Sequence, residues 1–531
     1  MNILPELLPI LADLQESFPG RFTAVDAPCV NEIYFHGPME VVAGFSAHLV
    51  RKWDARLVNL FADDARASDH TFYLYYVFAL DASHGFCILR VPVPPEKPEF
   101  TSLTDAIHAV NWQEREIQDL FGLKVLGHPN PRRCALHDDW PEVHPLRKDF
   151  DLHTTLPPLR GVRHRFREVE GEGVFQVPVG PVHAGIIEPG HFLFSVAGEP
   201  VLYLQLRLFY THKGTEKLFE SLPVAHGVRL AESVSGDSGF AHATAFCHAV
   251  ERAAGAEVPV RARALRTICL ELERLYNHLG DMGAICTDVA FVTANMHAMR
   301  LKEQVLRVNE LLTGNRLLRG MACLGGVRFD FDPGQLQALA EVVAALKPEF
   351  ASLVELIRES SGTRDRLETT GVLKPEVARD LGVVGLAARA SGIDRDLRRD
   401  FSHAFYDQVS FTVPVFAAGD VQHRLVVRRE EIHQSLAIIE QVLAKLPAGP
   451  LRVDVGELPA DRVALGYVEG WRGEIFHWVR TAPGNRLARC KVKDPSLQNW
   501  PALTEAILGN IIPDFPVVNK SFNLSYSGTD R

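Results

Sequence analysis

Apolar positions recur along the chain in two periods, and the change from one to the other divides it. Glu32-Ile-Tyr-Phe-His36 reads as a strand and Met39 to Arg51 as a helix. Thr71 to Leu80 and Gly85 to Val91 are β-rich runs joined by Asp81-Ala-Ser-His84, the pattern of a hairpin. Thr101 or Ser102 is placed to cap a helix running through Asp105, Ile107, Val110 and Ile117 to Phe121-Gly122. Met1 to Phe18 is apolar but broken by Glu6, Asp13 and Glu16, as in an amphipathic helix. Residues 1–150 are therefore predicted to form a small α+β domain. From 151 to 177 the chain has Pro157-Pro158, Gly161 and mixed charge without a period, which predicts an extended linker wrapped on a neighbour.

Beyond the linker the steps of three and four dominate. Leu265, Ile268, Leu272, Leu275, Leu279 and Met282 form one stripe, with Pro259 suited to its first turn. Ile432, Leu436, Ile439 and Leu443 form another; Leu336, Leu339, Val343 and Leu346 continue past Pro348 through Phe350, Leu353 and Ile357. Stripes of this kind are core. Residues 178–531 thus read as a large, mainly helical domain with a β-rich entrance around Phe192 to Arg207, and the whole chain as α+β.

Composition narrows the partners. The 531 residues carry 56 Lys+Arg against 66 Asp+Glu, a net charge of −10, which argues against a nucleic-acid binder. The 8 cysteines contain no Cys-x-x-Cys, so zinc-ribbon and iron–sulfur spacings are absent and a reducing compartment is favoured. No basic n-region opens the chain, and no uncharged apolar run is long enough to span a bilayer. A soluble or peripheral protein is expected.

Gly, Pro and charge concentrate in two stretches. The first is Glu114-Arg-Glu-Ile-Gln-Asp-Leu-Phe-Gly122 with Gly127-His-Pro-Asn-Pro-Arg-Arg133 and His144-Pro-Leu-Arg-Lys-Asp149, read as a loop ordered by Arg–carboxylate pairs. Its order resembles the 30-kDa subunit of respiratory complex I. The second comprises Gly180-Pro-Val-His183, Glu188-Pro-Gly-His191 and Thr211-His-Lys-Gly-Thr-Glu-Lys217. Arg274-Leu-Tyr-Asn-His-Leu279 with Asp288, Arg389-Ala-Ser-Gly392, Glu469-Gly-Trp-Arg-Gly-Glu474 and the segment from Ser521 to Arg531 extend it. These resemble the 49-kDa subunit of complex I and the large subunits of nickel–iron hydrogenases. The fused order is most similar to the large subunits of the formate hydrogenlyase and hydrogenase-4 group.

Hydrogenases of that family hold nickel and iron with thiolates from two Cys-x-x-Cys pairs. In their place stand Ser235-Gly-Asp-Ser238, followed by Phe240-Ala-His242, and Ser525-Tyr-Ser-Gly528. A serine hydroxyl is hard and far less acidic than a thiol, a poor ligand for nickel. The resemblance therefore implies no nickel–iron centre and no cofactor bound by this chain, but a polar cavity lined by Ser235, Ser238 and Ser525. It further matches Glu188 to the proton-relaying carboxylate of the hydrogenases and Arg472 to the arginine beside it. His183, His242, Asp237 and Asp288 extend that relay, Asp288 at the place of an acid in the complex I quinone pocket. The quinone clamp departs from the pattern, its histidine falling on Ile187 and its tyrosine near Gly236. His212, Glu216 and Lys217 are read as a charge cluster that holds the fold.

What the resemblance implies is a peripheral-arm oxidoreductase subunit on the cytoplasmic side of the membrane. Electrons would come from iron–sulfur clusters in a hydrogenase-like small subunit and ferredoxin-like subunits, and protons would couple to antiporter-like membrane subunits. The acceptor implied is a quinone or another small carrier, with NAD(H) reached only indirectly. A redox-silent conformational scaffold is the alternative; a hydrogen-evolving enzyme with unusual ligands ranks below both.

Overall fold

A computed structural model describes residues 2–157, 161–162, 164–181 and 188–531. The N-terminal sheet has five strands in the order Ala24–Asp26, Glu32–His36, Gly85–Val93, Thr71–Leu80 and Arg56–Ala65. The second and third run parallel and the other neighbours antiparallel. Apart from the exposed edge strand Ala24–Asp26, the strands are buried almost continuously because both faces are covered. Ile33, Phe35, Leu74, Tyr76, Phe78 and Leu89 pack with Ile10 and Leu14 of the helix Leu8–Ser17 and Phe45 and Leu49 of the helix Val42–Trp53. Tyr34, Phe61, Tyr75, Val77, Phe86 and Ile88 face the second domain instead. Period two therefore builds one core for the domain and one for its interface.

One reading of the first domain changes. The helix begins at Asn111, not near residue 101. Glu114 pulls the preceding segment back onto the helix: its carboxylate accepts the Ser102 and Thr104 hydroxyls at 2.6 and 2.7 Å and the Leu103 amide at 2.6 Å. The stretch from 114 to 149 is ordered by Arg–carboxylate pairs, Glu116 with Arg531, Asp149 with Arg66 at 3.0 Å and Glu142 with Arg133 at 3.0 Å, and equally by bonds to the backbone. Asp119 accepts the amides of Cys134, Ala135 and Leu136, and Arg115 donates to the carbonyls of Arg132 and Arg133. Along the predicted linker, His164 bonds Asp138 and the Gln205 side chain bridges the Arg167 amide and carbonyl. The strand Val174–Val179 starts within its last residues.

That strand joins His191–Ala197 and Val201–Arg207 in an antiparallel sheet. The long helices follow: Gly239–Ala254, Val260–Asp288, Val292–Thr313, Pro333–Glu359 and Val421–Ala444. Pro348 lies inside its helix without ending it, and Asp332 with Gln335 forms a capping box at its start. A second antiparallel sheet, Val463–Glu469, Glu474–Ala482 and Arg486–Lys493, is not legible in the sequence. It lies between the N-terminal sheet and the helix Gly239–Ala254. Leu465, Tyr467, Phe476 and Trp478 join the interface core, where the fully buried Trp478 donates its indole N–H to the Tyr34 hydroxyl at 3.0 Å. Burying a side chain of this size contributes about 1.5–3 kcal/mol. Gly466 lets the helix come close: a Cβ there would lie 2.1 Å from the Ala245 carbonyl oxygen. Among the described residues no helix is long and apolar enough to cross a membrane.

Candidate functional site: a serine cluster between two loops

The loop Ser235–Ser238 leads into the helix Gly239–Ala254 and is held by the helix Val260–Asp288 and by the turn between the strands Val463–Glu469 and Glu474–Ala482. The Asp237 carbonyl accepts Asn277 Nδ2 at 2.7 Å and Trp471 Nε1 at 3.0 Å. Glu273 accepts the Phe240 and Ala241 amides at 2.8 and 3.1 Å, satisfying donors that the first helical turn leaves free. Burial raises its carboxyl to about 8.

The second loop arrives from the far end of the chain. Ser525 caps the short helix Tyr526–Asp530 through the Gly528 amide at 2.9 Å, and its hydroxyl lies 2.8 Å from that of Ser235. Ser235 donates to Asp237 Oδ1 at 2.8 Å. With that proton engaged, Ser525 must donate to Ser235, and Ser527 approaches Ser525 at 3.4 Å. Glu188 accepts the Ser527 amide at 2.8 Å. The result is a file of hydroxyls pointing one way, from Ser525 through Ser235 to the Asp237 carboxylate, with Ser527 behind it at a distance longer than a hydrogen bond.

Arg472 closes the file. Its guanidinium grips Asp237 in a bidentate pair at 2.7 and 2.5 Å, reaches Ser238 at a long 3.3 Å and lies 3.9 Å over the Trp471 ring. Burial pushes the Asp237 carboxyl up, but Arg472 and the Ser235 hydroxyl outweigh it and hold it below the usual carboxylate range. Arg472 is buried, while the Asp237 side chain keeps 41% of its surface exposed, so the file ends at a group that water reaches.

The expected residues do not all converge. Glu188, Ser235, Asp237, Arg472 and Ser525 meet here, with Ser238 at the margin. His183 and Ile187 lie outside the described residues. His242 turns away from the serines: Nε2 bonds Asp494 at 3.0 Å and Nδ1 bonds His477 at 3.1 Å, all three fully buried. Asp288 shares no hydrogen bond with the cluster; burial raises its carboxyl and Lys520 opposes the rise. Glu216 pairs with Arg489, Lys491 and Arg531, whereas His212 bonds the Asp530 carbonyl and Lys217 the Arg147 carbonyl. Sequence reasoning missed Ser527, Asp494 and His477. A histidine between Ile475 and Val479 on the inward face of a strand was the signal for the last.

The cluster is a poor fit for a thiolate-held metal. Three of the four matched positions offer hydroxyls, and those of Ser235 and Ser525 are spent on each other and on Asp237. At the fourth, a Cβ on Gly528 would lie 2.6 Å from Cγ of Asp494, which His242 and the Ser496 amide hold in place. The serines close on one another instead of facing open space.

Comparison with known proteins gives the frame in which this cluster sits. Residues 41–156 match the family of the respiratory-chain NADH dehydrogenase 30 Kd subunit, and 288–464 that of the 49 Kd subunit. The chain is 34% identical over 527 residues to formate hydrogenlyase subunit 5 of Escherichia coli, covering 98% of this chain and 93% of the relative. It is 34% identical to the NADH-quinone oxidoreductase C/D subunit of Phocaeicola vulgatus over 72% of this chain and 77% of the relative. Among solved structures, a chain of the archaeal membrane-bound sulfane sulfur reductase superposes with a TM-score of 0.64 at 27% identity, covering 68% of this chain and 99% of that one. The protein belongs to the family of fused 30-kDa and 49-kDa subunits shared by complex I and the formate hydrogenlyase and hydrogenase-4 complexes.

Proposed function

We propose that the chain is a peripheral-arm subunit of a membrane-bound oxidoreductase and that its serine cluster exchanges protons in place of a nickel–iron centre. The observation that carries this reading is the one-way file of hydroxyls linking Ser525 and Ser235 to Asp237, with Ser527 behind it. A proton passed from Glu188 to Ser527 lets each hydroxyl hand on its own, Ser527 to Ser525, Ser525 to Ser235 and Ser235 to Asp237, so that Glu188 loses one proton and Asp237 gains one. Arg472 keeps Asp237 ionised at rest and weakens its hold on an added proton, so a proton that reaches it passes on to the water at its exposed side.

Electrons would then travel through iron–sulfur clusters of a hydrogenase-like small subunit and ferredoxin-like partners, toward a quinone or another small acceptor. Proton release would be read by antiporter-like membrane subunits, with the chain on the cytoplasmic side. Purification of the complex from membranes in mild detergent tests this directly. Nickel well below one atom per chain, together with turnover lowered about tenfold or more by Glu188→Gln, is the expected result. Stoichiometric nickel with hydrogen-linked activity would overturn it, and undiminished turnover in the variant would leave a structural scaffold.

A further inference from the structure

A second site lies at the end of the strand Arg486–Lys493, in a cleft of about 280 Å³ lined by both domains. Its floor contains Lys493, only 1% exposed. The ammonium makes one hydrogen bond, to the Val58 carbonyl at 2.5 Å, and lies 5.7 Å from the Phe476 ring. No carboxylate among the described residues comes within 4.0 Å of it. Two of its three N–H groups therefore have no partner among those residues, which is costly for a buried charge.

The neighbouring cations do not leave a counter-ion over. Asp81 is shared between Arg56 and Arg395, each at 2.9 Å, and Glu474 is taken by Arg56 at 2.7 Å. Those two carboxylates serve Arg56 and Arg395, and neither lies within ion-pair distance of the Lys493 ammonium. Arg395 meets Asp81 through its Nε, which leaves its two terminal nitrogens open among the described residues. Arg379 lines the cleft, exposed and without an ion-pair partner among those residues. Asp54 and Asp380 lie exposed along the same lining and form no ion pair with them.

We infer that this interdomain cleft binds a small oxyanion, a carboxylate or phosphate group, held between Lys493, Arg395 and Arg379. Oxygen acceptors match what the site lacks: the spare ammonium protons want strong acceptors, and a planar guanidinium edge takes two oxygens at once. The volume admits a ligand of a few heavy atoms. Lys493 directly precedes Asp494, which bonds His242 and lies against Gly528, so occupancy of the cleft borders the wall of the serine cluster.

The full chain should be titrated with inorganic phosphate and, separately, acetate at fixed ionic strength against chloride, following the thermal unfolding midpoint. A saturable rise with at least one oxyanion, beyond that with chloride, is expected. Lys493→Met should abolish the saturable part, Lys493→Arg should keep it, and Arg379→Ala should weaken half-saturation about tenfold. The phosphate and acetate arms separate the two oxyanion sources. No saturable rise in the native chain, or an equal one in Lys493→Met and Arg379→Ala, would overturn the assignment. Arg379 is exposed, so its variant decides the matter even where Lys493→Met does not fold.

Discussion

Two polar clusters of the second domain both pair an arginine with carboxylates and hydroxyls, and they differ in how they end. Around Arg389 the charges pair within the protein: it lies 2.7 Å from Glu431, 2.9 Å from Glu469 and 3.4 Å from Asp396, although burial still lifts the Glu469 carboxyl to about 7. Arg398 joins Asp396 and Glu271, and Tyr406 and Ser435 donate to Glu271 as well. All of these lie in the fully buried core. The serine cluster is smaller, mostly neutral, oriented in one direction and open at Asp237. A closed network fixes geometry; an oriented, open one can pass a proton. Strong perturbation of ionisable groups is common to both, so it alone does not separate a frame from a site.

The largest effect should come from breaking the closed network. Arg389→Met leaves Glu431, Glu469 and Asp396 short of a counter-charge and should destabilise the chain by about 3–5 kcal/mol. Denaturant unfolding, or loss of soluble full-length protein, checks it. A variant that unfolds near the native midpoint would mean that this cluster is not closed and that the contrast with the serines is misplaced.

Next in size is Ser235→Ala, which cuts the file between Ser525 and Asp237 while removing a single hydroxyl. Stability should fall by only about 1 kcal/mol, the net worth of a typical hydrogen bond. Turnover of the complex should fall about tenfold, with Ser235→Thr close to native because it restores the hydroxyl. Equal losses for Ala and Thr would point to packing rather than proton passage.

Much of the frame was legible. The stripes of Leu265 to Met282 and Ile432 to Leu443 became helices because a buried face repeats at the helical period. The hairpin at Asp81 followed from two apolar runs and a short polar turn. The sheet Val463–Lys493 was missed because both its faces are buried, which erases the alternation that marks a strand. Within the site, Ser235, Ser525 and Glu188 were singled out through resemblance to the family, and the structure brings them together. Asp494 was not, although Asp494-Pro-Ser496 has the form of a helix cap and its side chain does accept the Ser496 amide at 2.7 Å. Nothing local in the sequence says that this cap also holds His242, 252 residues away.

The pH dependence of stability offers a third contrast, through Lys493. Burial lowers its ammonium from 10.5 to about 8, with Glu474 opposing and Arg56 and Lys491 adding to the drop. Between those two values the unfolded chain binds the proton and the folded chain does not. Stability from this group must then rise as pH goes from about 8 to 10.5. In oxyanion-free buffer, the native chain should show that rise relative to Lys493→Met. Saturating phosphate or acetate favours the charged form and should flatten it.

The smallest effect is expected at Ser238, and it sharpens the contrast inside the cluster itself. Ser235 and Ser238 hold equivalent places in the Ser-Gly-Asp-Ser loop, and a purely vestigial site would treat them alike. Here Ser235 stands in the file, whereas Ser238 accepts one long bond from Arg472 at 3.3 Å and makes no side-chain cap for the helix it precedes. Arg472 retains Asp237 and the Asn523 carbonyl without it. Ser238→Ala should therefore cost less than about 1 kcal/mol and leave turnover unchanged. If Ser238→Ala matched Ser235→Ala in turnover, the direction of the hydroxyl file would carry no function, and Arg472 alone would be the group that matters.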